Sequence, residues 1–403
     1  MNGADITPGA LSNLTVLDLT RVLSGPFCTM IMADMGANIV KIETPGTGDD
    51  TRAFNPMRNG TSVYFANLNR NKRSMTLNLK NPEGKKIFLE MVKKADVVVE
   101  NFRPGVRDRL GLGYDVLKAT NDQIIFASIS GFGQYGPYSD RPGYDILAQA
   151  MGGMMSINGQ PGDPPTRVGA AMGDIQTGMT ALIAILAAVN ARNVIGHGQR
   201  VEVALTDTIA FSIFAEILRY LETGIVPVRM GNRYAALSPY ESYRAKDGDF
   251  IIACGNQKLF ETLCTKILHR PELITDERFC TTPVRAKHPE EIRPYIEEWT
   301  TTVTVEEGVK AVLEAGIPAG PINDAAALTK DPHIAGAREM YLPHHHPVIG
   351  DMTIIGNPIK LYDTKPSVRT PAPMLGENTE ELLSELLGYG TDEVARLKEN
   401  GAL

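Results

Sequence analysis

Asp174 stands in the segment Val168-Gly-Ala-Ala-Met-Gly-Asp-Ile-Gln-Thr-Gly178, a lone carboxylate among glycines and apolar residues at the head of a long apolar stretch. Two roles fit such a residue. As an N-cap, its side chain would satisfy the free amides of a first helical turn. As a nucleophile it needs no activating base, because an aspartate with its ordinary pKa of about 3.9 is already ionised at neutral pH. Taken alone the segment reads more readily as the cap; the surrounding glycines pull the other way, since they let a ligand or another backbone approach the carboxylate.

Other candidate motifs carry less. His344-His345-His346 suggests a metal site. Adjacent residues on a strand point to opposite faces, so this run cannot chelate one ion from a regular element; a surface loop and no metal are expected. The turn Leu23-Ser-Gly-Pro-Phe27 lacks the glycine fingerprint of dinucleotide sites, and Pro26 removes an amide that a pyrophosphate would use. Glu43 nevertheless sits where a ribose-binding acid would, at the end of the second predicted strand. No P-loop, GxSxG elbow or HExxH motif is present.

The elements that must position these residues alternate along the first half of the chain. Leu14–Leu19, Asn38–Glu43, Asp96–Glu100 and Gln123–Ser130 read as strands, with helices predicted over Phe27–Met35 and Lys80–Lys94. Strands separated by helices imply an open, largely parallel α/β sheet, whose ligands bind beyond the carboxyl ends of the strands. The loops after Leu19, Glu43, Glu100 and Ser130 are therefore the expected site. Asp174–Arg192 is apolar nearly all round and reads as a buried helix, followed by a strand over Gln199–Leu205. Residues 224–239, rich in Gly and Pro, read as a linker. Residues 240–325 read as a second, smaller α+β domain, with a strand over Asp249–Cys254 and helices at Leu259–Leu268, Glu290–Thr300 and Val305–Glu314. Residues 326–403 return to the large domain begun by residues 1–223, and end in a helix over Thr379–Leu387.

Composition excludes several classes. The chain has 403 residues, beyond the roughly 250–300 at which one core stops growing, so two domains are expected. With 40 Lys+Arg against 47 Asp+Glu, a net charge of −7 and no long basic run, it is not expected to bind nucleic acid. Its four cysteines, Cys28, Cys254, Cys264 and Cys280, form no CxxC pair and are too few for a disulfide framework. Met1–Thr15 is polar, and no apolar run reaches the roughly 18 residues of a membrane span. A cytoplasmic protein without a membrane partner is expected.

In several places the sequence resembles the family III CoA-transferases, which include formyl-CoA:oxalate and acetyl-CoA:oxalate CoA-transferases. The markers are Leu17-Asp-Leu-Thr-Arg-Val22, Gly36-Ala-Asn-Ile-Val-Lys-Ile-Glu43, Gly48-Asp-Asp-Thr-Arg52 and Asn69-Arg-Asn-Lys-Arg-Ser74. Further on come Ala95-Asp-Val-Val-Val-Glu-Asn-Phe-Arg-Pro-Gly105, Gly131-Phe-Gly-Gln-Tyr-Gly-Pro137, Gly143-Tyr-Asp145, Gly173-Asp174 and Gly198-Gln-Arg-Val-Glu-Val203. Each is weak alone; their order along nearly the whole chain is specific.

The resemblance implies a Rossmann-like large domain, an interlocked homodimer, and Asp174 as the nucleophile that carries CoA between an acyl-CoA and a carboxylic acid. It implies a coenzyme A site built from Leu23, Ser24, Thr44, Leu77, Asn78, Leu79, Lys80, Asn101, Phe102, Arg103 and Arg109, with Tyr144 lining the channel. The related α-methylacyl-CoA racemases carry a catalytic histidine in a Gly-His-Asp motif. Here the motif is Gly143-Tyr144-Asp145, and a tyrosine with a pKa of about 10 is a poor base at neutral pH. The stretch from Gly231 to Tyr240 lacks the glycine run of formyl-CoA transferases and looks closer to the oxalate and succinyl-CoA:dicarboxylate branches. That resemblance points to Gly231, Asn232 and Arg233 at the substrate, with Arg233 pairing a second carboxylate. Amides at Gly173 and at Gly231-Asn232 are candidate oxyanion donors.

Overall fold

A computed structural model of the chain describes residues 8–403; Met1–Thr7, part of the polar N-terminal stretch, lie outside the described residues. The described chain divides into two compact units, one of residues 8–154, 167–222 and 332–403, the other of residues 155–166 and 223–331. Residues 155–166, expected in the large domain, and 224–239, expected as a linker, group with the second unit. Hydrogen bonds join them: Gly231 N–H donates to Gly159 O at 2.9 Å, and Arg229 Nη1 to Ser156 O at 3.2 Å.

The first unit is built on a sheet of six strands: β1 (Thr15–Asp18), β2 (Asn38–Glu43), β3 (Lys72–Thr76), β4 (Val97–Glu100), β5 (Ile125–Ser130) and β6 (Arg200–Ala204). Their order is β3-β2-β1-β4-β5-β6, with every pairing parallel. The order reverses between β1 and β4, which makes that crevice the topological switch point. Successive residues serve opposite faces, as the twofold pleat requires. Val16, Ile39, Val97 and Ile125 join one core, while Leu17, Val40, Val98 and Phe126 join the other. Both faces are covered, so these strands read as continuous apolar runs. The exceptions are β6, where Val201 and Val203 alternate with Arg200 and Glu202, and β3, which the sequence did not reveal because its charged and polar residues resemble a surface segment.

Helix α1 (Ser24–Asp34) covers the first face, and α2 (Pro82–Val92), capped by Asn81, the second. The short α3 (Val106–Leu110) and α4 (Asp145–Met151) follow β4 and β5. Helix α5 (Met172–Ile195) is the one described helix with the length and hydropathy of a membrane span, yet it packs along α1 and the sheet. It is not buried all round, contrary to the sequence expectation. Ala181, Leu182, Ile185 and Ala188 are in the core, while Met179, Ile183 (66% exposed) and Val194 face outward. Helices α6 (Leu205–Ser212) and α7 (Phe214–Thr223) continue this exposed apolar surface with Phe211, Phe214 and Leu221.

The second unit holds a three-stranded antiparallel sheet of β7 (Tyr240–Arg244), β8 (Asp249–Ala253) and β9 (Ala319–Pro321), in the order β9-β8-β7. Helices α8 (Gln257–Thr262), α9 (Pro289–Thr300) and α10 (Val305–Glu314) pack on it around Phe250, Ile252, Phe260, Ile292, Ile296 and Val312. A capping box between Thr304 and Glu307 fixes the start of α10.

The C-terminal segment then returns to the first unit. Strands β10 (Tyr341–His346) and β11 (Gly350–Ile355) form a hairpin, and α11 (Thr379–Leu387) and α12 (Thr391–Glu399) bury Leu382, Leu383, Val394 and Leu397 in the second core. The three histidines therefore lie on a strand rather than in a surface loop. Their side chains go to different partners: His345 Nδ1 meets Asp351 at 2.8 Å, while buried His346 accepts the Val348 and Ile349 amides and reaches Ala372 O. Among the described residues no group of three or more His, Cys, Asp or Glu side chains could share a metal ion.

Candidate active site

Beyond the carboxyl ends of β1, β2, β4 and β5 the chain opens a cavity of about 830 Å³, within the size range of small-molecule sites. The first-unit loops flagged in the sequence form its walls. Leu23, Ser24, Thr44, Leu77, Asn78, Leu79, Lys80, Asn101, Phe102, Arg103, Tyr144 and Asp174 all line it. Arg109 does not: its guanidinium lies over the Gly105 turn, and Val106 and Leu110 are the α3 residues that reach the cavity.

Three ion pairs lie beneath these loops, one joining β1 to β3 and two tying the segment after β2 back to that strand. Asp18 meets Lys72 at 3.1 Å, Lys41 meets Asp49 at 2.9 Å, and Glu43 meets Arg52 at 2.6 Å. Burial opposes the ionisation of Asp18, yet Lys72 and Lys41 with the hydroxyls of Thr20 and Thr29 hold its carboxyl down to about 2. Lys72 is pushed by burial to about 8 but stays charged at neutral pH beside Asp18. Glu43, which mimics a ribose-binding acid in sequence, has both carboxylate oxygens on Arg52, and Ser74 donates to it as well. Arg52 lies over the Phe65 ring at 3.8 Å and donates to Pro373 O, so the pair also ties down the C-terminal segment. The charges of the floor are thus spent on one another. Arg21, Lys80, Arg103 and Arg141 are the remaining basic residues of the cavity lining. Neither Arg21, inside the Leu17–Val22 motif, nor Arg141, just before Gly143–Asp145, stands out as a site residue in the sequence.

Asp174 sits in the first turn of α5, two residues past its start, and caps nothing. The capping role belongs to Asp145, whose Oδ1 accepts Gly173 N–H at 2.7 Å while Oδ2 accepts from Gln149 at 2.8 Å. Burial, and then the charge of Asp145, push the Asp174 carboxyl up to about 6, against a hydrogen bond from the Ser24 hydroxyl. Gly178, one turn further along α5, lies against the Ser24 carbonyl, where a Cβ would come within 2.6 Å. This close helix contact fixes the backbone of Ser24 one turn from Asp174. The carboxylate is ionised at neutral pH and poorly solvated, which suits it to attack a carbonyl. Tyr144 is exposed, and its hydroxyl accepts from Arg103 at 3.3 Å.

Gly231, Asn232 and Arg233 belong to the second unit. Arg233 Nη1 lies 2.6 Å from Glu290, and Asn232 Nδ2 donates to Ser242 Oγ at 3.0 Å. Two amides considered as oxyanion donors are already engaged, Gly173 with Asp145 and Gly231 with Gly159.

An α/β protein with a cavity at the switch point of a parallel sheet, rimmed by arginine and lysine and holding one semi-buried carboxylate, is of the class that binds phosphorylated carriers. Within that class the chain belongs to CoA-transferase family III, whose family model matches residues 11–379. It is 41% identical to an acetyl-CoA:oxalate CoA-transferase of Acetobacter aceti, over 94% of this chain and 96% of that one. It is 40% identical to a succinyl-CoA:mesaconate CoA-transferase of Haloarcula marismortui, over 96% of this chain and 99% of that one. Among solved structures, a CAIB/BAIF family protein from Brucella suis superposes with a TM-score of 0.82 at 37% identity, covering 94% of this chain and all of that one. The chain is accordingly a family III CoA-transferase that handles acyl-CoA.

Proposed function

We propose that this enzyme moves CoA from an acyl-CoA donor to a small carboxylic acid of the oxalate or succinate type through covalent intermediates on Asp174. The observation that carries the reading is the Asp174 carboxylate itself, in the cavity wall, free of capping duty and poised near neutrality. The carboxylate attacks the acyl-CoA carbonyl, and the carbon–sulfur bond breaks to give a mixed anhydride and CoA thiolate. The thiolate attacks the aspartyl carbonyl, and the donor acid leaves with one of the aspartate oxygens. The resulting aspartyl-CoA thioester is then attacked by the acceptor carboxylate, and the same steps run in reverse. The fate of the oxygens gives the test. In one turnover with an acceptor acid labelled in both carboxylate oxygens with oxygen-18, the peptide containing Asp174 gains one heavy oxygen. An unlabelled peptide after completed transfer would sink the reading.

The strand order of the large unit is that of Rossmann-like sheets, and Phe102-Arg103 and the Leu77–Lys80 loop are read as the holders of the CoA pyrophosphate and ribose phosphate. The names of the relatives favour dicarboxylic acceptors. Arg233 pairs a second carboxylate in this reading only by trading Glu290 for substrate, so an Arg233→Ala enzyme with unchanged dicarboxylate preference removes that role. The exposed apolar band on Met151, Met179, Ile183, Phe211, Phe214 and Leu221 is read as the seat of a homodimer, interlocked as in the family. A cytoplasmic location agrees with four free thiols.

A further inference from the structure

Val22 has φ +69°, a left-handed conformation that a β-branched residue adopts only when its surroundings force it. It sits in the turn between β1 and α1, in the cavity wall, two residues before Ser24. The forcing groups can be named. Asn101, at the mouth of β4 across the switch point, accepts Arg21 N–H at 2.8 Å on Oδ1 and donates from Nδ2 to Arg21 O at 2.7 Å. Asp49 Oδ1 accepts Val22 N–H at 3.2 Å, and Asp49 is itself fixed by Lys41 and by the Thr51 amide. Just past the turn, Gly25 packs so closely on Thr20 that a Cβ would come within 2.3 Å of that side chain. These contacts fix the turn on both sides, and it ends at Ser24, whose hydroxyl favours the ionised form of Asp174.

We propose that Asn101 is a positioning residue: its carboxamide clasps the Arg21 backbone across the switch point, holds Val22 left-handed and thereby sets Ser24 against Asp174. The proposal rests on Asp174 being the nucleophile. It differs from the expectation that Asn101 serves as a direct CoA ligand, because here the carboxamide is turned to Arg21. Losing the clasp lets Val22 relax to negative φ, and the Ser24 hydroxyl leaves the carboxylate. The charged group then facing Asp174 is Asp145, which disfavours the ionised form; the Tyr64 phenol, itself held protonated by burial and by the charge of Asp174, stays neutral in this range.

Replacement of Val22 by glycine separates the two roles, since glycine takes φ near +69° without steric cost. The experiment compares wild type, V22G as baseline, N101A and N101A/V22G, reading formation of the Asp174 adduct from acyl-CoA, kcat, KM and the acid limb of the pH profile. N101A is expected to lower kcat about tenfold or more, with KM for acyl-CoA changed less than about threefold and the acid limb moved to higher pH. N101A/V22G is expected to regain most of the V22G rate and limb. A raised KM with unchanged kcat in N101A, or no recovery in the double variant, would mean that Asn101 touches the ligand, and the proposal fails. Should N101A not fold, Asn101→Asp, which keeps the acceptor and loses only the donor, is paired with V22G in the same way. If wild type itself forms no adduct, the nucleophile reading fails instead. The clasp is then judged by thermal unfolding alone, where additive effects of N101A and V22G would refute it.

Discussion

At the scale of single residues, the proposed chemistry turns on whether Asp174 carries a proton. Its carboxyl titrates near 6 because burial and Asp145 disfavour the charge, so transfer is expected to fade as pH falls through about 6. Asp145→Asn keeps an oxygen for Gly173 N–H but removes the neighbouring charge. Its pH–rate profile should show the acid limb moved to lower pH; an unmoved limb would mean that Asp145 does not act on Asp174 through its charge. Stability carries the same sign. A folded-state value of about 6 against about 3.9 unfolded means that the folded protein holds this proton more tightly, so the group costs stability above pH 6 and ceases to cost it below about 4. Asp174→Asn is therefore expected to stabilise the fold by about 1–3 kcal/mol at pH 7.5 in urea unfolding, with the gain gone near pH 4. A variant less stable than wild type at pH 7.5 would contradict this. In the sequence Asp174 stands out as a candidate through its glycine neighbours and through the family resemblance, while the segment alone reads more readily as a helix cap. Ser24 as its hydrogen-bond donor and Asp145 as the cap of its helix do not stand out there, because each acts across about 30 to 150 residues of chain and needs the fold to bring it near.

At the scale of elements, two contacts set the site. The first is the crossing of α1 and α5 at Gly178, where any side chain would meet the Ser24 carbonyl. Gly178→Ala should destabilise by about 1–3 kcal/mol through overpacking and slow the covalent step by displacing Ser24; wild-type rates in a folded Gly178→Ala enzyme would deny the contact any role. The second is the trio of ion pairs under β1, β2 and β3. Removing one partner of a buried pair leaves the other uncompensated, so Asp18→Asn is expected to cost about 3–5 kcal/mol at neutral pH, measured by chemical denaturation. Because Asp18 is held near 2, that stability persists down to about pH 4 and is lost below it. Most of the sheet could be read from apolar runs, and β2 and α10 were placed to the residue. Strand β3 escaped because Lys72 and Arg73 look like surface residues. Only the fold shows that Lys72 is wholly buried against Asp18, Thr29 and Asn69.

At the scale of the whole molecule, α5 is apolar nearly all round and so reads as buried, but a sequence does not say by what such a helix is covered. Its outward face, with that of α7, is uncovered in the single chain. An Ile183→Glu chain is expected to sediment as a monomer where the wild type sediments as a dimer; a wild-type monomer would remove the role given to this face. The most direct test of the central claim is intact-protein mass spectrometry after mixing the enzyme with a panel of acyl-CoAs, with Asp174→Ala as control. The expected result is a mass gain of CoA minus water on the wild type alone, largest with the true donor. No adduct with any donor, accompanied by exchange of the α-proton into heavy water, would contradict transfer through Asp174 and point to racemase chemistry instead.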